Sequence, residues 1–211
     1  MTRLRSLLLL ALTCVVVSAQ ADDLQIDVHA VEGELRIDLR AQDVLDDDVE
    51  RALRSGLPAR VRLTVELWNA SGWLDRFVLD HRSEHRVLFD LLDERYDVID
   101  DRGEVVFRST RRREIEDWIE RLDDLPLCFL DDLETDDGYY VAVEFRVEPL
   151  TLEEVRDLER WLRGNLSADA DESMLSRVSR QLFGVLKGRV GLGDREVRGR
   201  SKRFEPGALR D

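Results

Sequence analysis

Two histidines stand four apart in His81-Arg-Ser-Glu-His85; the third histidine of the chain is His29. On a helix that spacing puts both imidazoles on one face, where with nearby carboxylates they hold a metal ion or serve a hydrolytic centre. The flanks here read as strand instead. Positions 81, 83 and 85 then face one way, and the two rings lie about 13 Å apart at ~3.3 Å per residue, too far to share one ion. A metal-dependent or hydrolytic site at His81 and His85 therefore requires a bend at Arg82-Ser83-Glu84. Without it they are expected to be polar residues on the wet side of a sheet.

The run Asp131-Asp-Leu-Glu-Thr-Asp-Asp-Gly138 is the other place where ligands cluster. Hard cations want several oxygen ligands from one tight loop, which makes Asp132, Glu134 and Asp136 candidates for calcium. An EF-hand alignment fails, because Gly138 comes one position late and the last ligand position falls on Val143. The plainer reading is a type I′ hairpin turn at Asp137-Gly138 beside a solvated charge run. Nucleophile motifs are lacking. There is no G-x-S-x-G, and Gly188, Gly191 and Gly193 follow a helical stretch without opening another, so they form no dinucleotide fingerprint. Cys128 sits in the apolar run Leu125-Pro-Leu-Cys-Phe-Leu130 and is expected to be buried and inert. No catalytic residue and no cofactor is assigned on these grounds.

The elements that carry these residues alternate with period two over much of the chain. Strands are expected at 24–30 and 35–39, turned by Glu32-Gly33, and at 61–68, with a turn at 69–72. Trp73 is expected to open a partner strand through Leu79, followed by strands at 87–91, 96–99, 105–107, 127–130 and 139–147. Asp46-Asp47-Asp48 ahead of Val49, Ala52 and Leu53 start a short helix that Gly56 and Pro58 end. Thr110 is the expected cap of a second helix carrying Ile115, Trp118, Ile119 and Leu122. Thr151-Leu-Glu-Glu154 opens a third, and Leu175, Val178, Leu182, Val185 and Leu186 mark a fourth over 171–187. The fold class is thus mainly β: an antiparallel sandwich-like domain with flanking helices and a helical C-terminal appendage.

Composition divides the chain further. Lys and Arg number 32 against 46 Asp and Glu, a formal charge of −14. That balance argues against broad nucleic-acid binding, which needs clustered cations. Residues 1–21 have the form of a secretory signal: Arg3 and Arg5, an apolar stretch over 7–17, then Ala19-Gln20-Ala21. Its apolar run is shorter than the roughly 20 residues of a spanning helix, and no transmembrane span is expected after its removal. Cleavage there removes Cys14 and leaves Cys128 unpaired. From Lys187 onward eight bases face four acids, and the glycine-rich tail reads as loose, free to touch anionic lipid, to fold back on its acidic body or to stay solvated. Trp73, Arg198, Arg200, Lys202 and Arg203 are the candidate contact surface. The expected units are a signal at 1–21, a β-rich domain at 22–164, and a helix with a basic tail at 165–211.

The order of features resembles the bacterial family DUF4390. The residues that carry the resemblance are Ala52-Leu-Arg-Ser-Gly-Leu-Pro58 leading into the strand 60–68, Trp73, Leu79-Asp-His-Arg82, Glu94-Arg-Tyr96, Val106-Phe-Arg-Ser109, Leu125-Pro-Leu127 and Tyr139-Tyr-Val-Ala-Val143. It covers roughly residues 24–164. It implies an exported, mainly β protein of the periplasm or cell envelope, with no known activity and a protein partner in envelope sensing. Residues and resemblance together point to a non-enzymatic binding or signalling-accessory protein. The alternatives are a metal-dependent or hydrolytic enzyme using His81 and His85, and a structural envelope component.

Overall fold

A computed structural model of the chain describes residues 24–150 and 195–209. Strands β1 (Leu24–Val31) and β2 (Glu34–Ala41) form the expected hairpin. Glu32 and Gly33 both take positive φ, 52° and 83°, the backbone that a two-residue turn between twisted strands demands. Helix α1 (Asp47–Arg54) starts where the Asp46 side chain accepts hydrogen bonds from the Asp48 and Val49 amides at 3.0 and 2.9 Å. It buries Val49, Ala52 and Leu53. Then follow β3 (Ala59–Asn69), β4 (Arg76–Asp90), β5 (Arg95–Ile99) and β6 (Val105–Ser109), helix α2 (Arg112–Glu120), and strands β7 (Arg121–Phe129), β8 (Tyr139–Pro149) and β9 (Arg195–Arg200).

Two antiparallel sheets result, one of three strands in the order β1-β2-β7 and one of six in the order β6-β5-β4-β3-β8-β9. Inward residues of both belong to a single hydrophobic cluster: Leu35, Ile37 and Leu39 from β2 meet Val61, Leu63 and Val65 from β3 and Val143, Phe145 and Val147 from β8. The small sheet covers only part of the large one. Over the rest, α1 packs on β4, and α2 on β5 and β6.

Several boundaries differ from the sequence reading. Trp73 lies in a turn rather than a strand, and the two strands expected at 73–79 and 87–91 are one strand, β4, of 15 residues. Its middle reads as a break because both faces are polar there. On the outer face Arg62 reaches Glu84 at 3.4 Å across the ladder, while inward positions carry His81, Ser83 and His85. Leu122 belongs to β7, because the chain leaves α2 at Arg121 with extended backbone. Helix α2 is not capped by Thr110; instead the Ser109 hydroxyl accepts from the Arg111 amide and donates to Glu114. No type I′ turn forms at Asp137-Gly138, since neither residue has positive φ. The reason is topological: β7 and β8 lie in different sheets, so the acidic loop between them crosses the sandwich instead of closing a hairpin.

The tail expected to be loose is ordered over 195–209. Strand β9 pairs with β8, and Arg198 sits 3.0 Å from Glu144 within a row of alternating charges that includes Arg146 and Glu196. The expected helices at 151–164 and 171–187, and the signal at 1–21, lie outside the described residues.

Candidate functional site

The two histidines do not face solvent on the wet side of a sheet. In the β3–β4 ladder His81 lies opposite Val65, Ser83 opposite Leu63 and His85 opposite Val61, all inward positions of the large sheet. Alternation along a pleated strand dictates this: Val87, fully buried, marks the core face, and residues 85, 83 and 81 follow it at steps of two. Beside them the sandwich is left open. A cleft of about 500 Å³ forms there, with His81, Ser83, His85, Val61, Leu63 and Phe145 on the sheet side. Its opposite wall comes from Trp118 and Ile119 of α2 and from Leu122 and Leu125 of β7. Asp117, Arg121 and Asp123 complete the lining; of these, Asp123 is paired with Arg40.

The His85 ring meets Trp118 edge to face, with centroids 5.0 Å apart and planes at 89°, and Trp118 stacks on Phe107 at 5.7 Å. Half-burial against this aromatic wall holds the His85 imidazole below the ordinary histidine value, against the raising pull of Asp100, Asp101 and Glu84. It is therefore neutral at neutral pH. The sign of the resulting pH effect follows. The unfolded chain takes up a proton near the ordinary value of 6.5 while the native cleft resists it, so His85 reduces stability as pH falls below that point. His85→Phe keeps an aromatic ring against Trp118 and is expected to shrink the difference in melting temperature between pH 7.5 and pH 5. An unchanged difference would show that His85 carries none of the acid sensitivity.

Among the described residues no hydrogen bond joins Ser83 to either imidazole, and no group of three or more His, Cys, Asp or Glu side chains is placed to hold a metal ion. Asp132, Glu134 and Asp136 are exposed on the acidic loop, outside the cleft, and the structure does not bring them to His81 and His85. Cys128 is free and half-buried. Burial, with a contribution from Asp132, pushes its thiol up to about 11, the direction of an inert cysteine.

The residues expected to form a contact surface separate into two groups. Trp73 is 93% exposed at the tip of the β3–β4 hairpin. The basic residues mostly turn to their own domain: Arg198 to Glu144, Arg200 over the Tyr140 ring at 5.1 Å, and Arg203 to the Ala70 carbonyl. Lys202 is exposed. Ser83 follows from the strand pattern, but Trp118, Leu122, Leu125 and Phe145 are not legible as neighbours of the histidines, since they come from three other elements. One signal was available. The inward positions of β4 run Leu79, His81, Ser83, His85, Val87, Phe89, and three consecutive polar residues on a core face mark a place where the core is not closed.

Among the described residues no helix is long and apolar enough to cross a membrane. Residues 18–163 match the family model DUF4390, a domain of unknown function. No curated protein and no solved structure matches the chain.

Proposed function

The chain belongs to the DUF4390 family, whose defining domain has no assigned function, so its role must be argued from the cleft, and we propose a non-enzymatic binding or signalling-accessory protein that takes an uncharged, largely apolar ligand between its two sheets. The observation that carries this is the combination on β4. Largely apolar walls border an open cleft of about 500 Å³, within the range of small-molecule sites, and on its floor stand two partly exposed imidazoles and a hydroxyl that make no side-chain hydrogen bond to another described residue. Water reaches these groups in the open cleft, and a ligand with an apolar body and a few neutral polar atoms can replace it at both walls and floor. A neutral His85 suits such a ligand better than an anion. The form of residues 1–21 supports an exported protein working in the periplasm or cell envelope.

The test is a fluorescence titration with the neutral dye N-phenyl-1-naphthylamine. The native chain is expected to bind it saturably, and Ser83→Trp, which fills the floor of the cleft, to weaken binding at least tenfold while circular dichroism stays native. Equal binding by both proteins would remove the cleft as the site.

A further inference from the structure

The end of the sandwich that carries the β3–β4 turn displays large apolar side chains with no role in the core. Trp73 is 93% and Leu74 63% exposed, and Phe77, packed edge-on against Trp68, is 48% exposed. The turn that presents them is braced from two sides. Asn69 donates to Asp137 at 2.7 Å, the Gly138 amide to the Ser71 hydroxyl at 2.6 Å, and the Ala70 amide to the Gly138 carbonyl at 2.7 Å. Arg203, from the segment after β9, donates to the Ala70 carbonyl, and Tyr140 donates to Asp75 at 2.9 Å. A tip held this way loses little conformational freedom when its Trp and Leu are covered, which is the property of an interaction hot spot.

Charge decides what covers it. The bracing loop carries exposed Asp132, Glu134 and Asp136, and exposed Asp75 follows Leu74 at the tip, so acids outnumber the cations Arg76, Lys202 and Arg203 at this end. Acids around an apolar tip repel an anionic bilayer and attract a basic surface. The geometry points to a docking site for a protein partner, one that offers an apolar pocket for Trp73 and Leu74 with Lys and Arg around its rim. The acidic loop, read from sequence as a candidate cation site, is in this arrangement the electrostatic half of the interface. This site is separate from the cleft and stands or falls independently of it.

The experiment places the photo-crosslinking residue p-benzoylphenylalanine at position 73 of the full chain in its own host, with position 106 on β6, another exposed apolar position, as control. A single protein adduct is expected from position 73 and not from 106. Its yield is expected to fall at least tenfold when Asp132→Lys, Glu134→Lys and Asp136→Lys are combined. Because those substitutions also alter the bracing loop, purified wild-type chain and the captured partner are tested as well, and their binding is expected to weaken at least fivefold from 50 to 500 mM salt. Absence of an adduct, an adduct insensitive to both charge reversal and salt, or Trp73-dependent binding to phosphatidylcholine–phosphatidylglycerol vesicles would each overturn the proposal.

Discussion

Phe145→Ala is expected to lower the unfolding free energy by about 3–5 kcal/mol, the range for removing a buried phenylalanine. Phe145 is 1% exposed, lies between Leu63 of β3 and Val197 of β9 in the ladder, and is among the largest fully buried side chains. It belongs to the hydrophobic cluster that joins the two sheets, at the edge where that cluster opens into the cleft. Strand β8 is held by paired backbones on both sides, by β3 and β9, so the surroundings can collapse only partly into the space left, which is why the upper part of the range applies. Domains have total stabilities of roughly 5–15 kcal/mol, so a loss of this size brings the variant near its unfolding threshold. Urea denaturation measures it directly. A loss below about 1 kcal/mol would mean that the two sheets do not meet at this ring.

Glu50→Ala is expected to cost about 2–3 kcal/mol, since it leaves a buried hydroxyl and a guanidinium without their shared acceptor. Glu50 is a carboxylate on the inner face of α1, only 9% exposed. It accepts from the Tyr96 hydroxyl of β5 and from Arg54 Nε at 2.5 Å, and Arg54 in turn lies over the Phe89 ring at 4.9 Å. Burial and the bond to Glu50 raise the Tyr96 hydroxyl above its ordinary value, so it stays a donor throughout the working pH range. Arg54 is half exposed and can regain water, which holds the cost below that of a fully buried ion pair. Tyr96→Phe leaves Glu50 with Arg54 and is expected to cost only about 1 kcal/mol. The comparison of the two variants in the same urea series is informative: equal losses would show that the carboxylate holds only the tyrosine.

Much of this architecture is legible from local patterning. Period-two alternation gives β1, β2, β3 and β8 nearly to their ends, and Asp46 with Gly56 brackets α1, because capping and pleating act over a few residues. The middle of β4 is illegible for a physical reason: a strand whose outer face makes ion pairs and whose inner face lines an open cleft has no apolar periodicity to read. Strand β9 is obscured in a similar way. Its arginines look like a free basic tail until the fold supplies their partners, Glu144 of β8 for Arg198, the Tyr140 ring for Arg200 and Asp46 for Arg195, all some fifty or more residues distant in sequence. Trp73 is recognisable as exposed from its place beside Ser71-Gly72. The cleft is not, since its walls are brought together only by the return of β7 to pair with β2 across the sandwich.

The histidines themselves provide the most direct measurement of whether that cleft binds. The chain has three, and they are divided by the fold: His81 and His85 line the cleft, while His29 stands outside it on the small sheet beside Asp124 at 3.2 Å. In a side-chain NMR titration with N-phenyl-1-naphthylamine, the resonances of His81 and His85 are expected to shift together and saturate, with His29 unmoved. Unmoved His81 and His85 resonances at dye concentrations that bind the protein, or equal shifts in all three, would contradict the account.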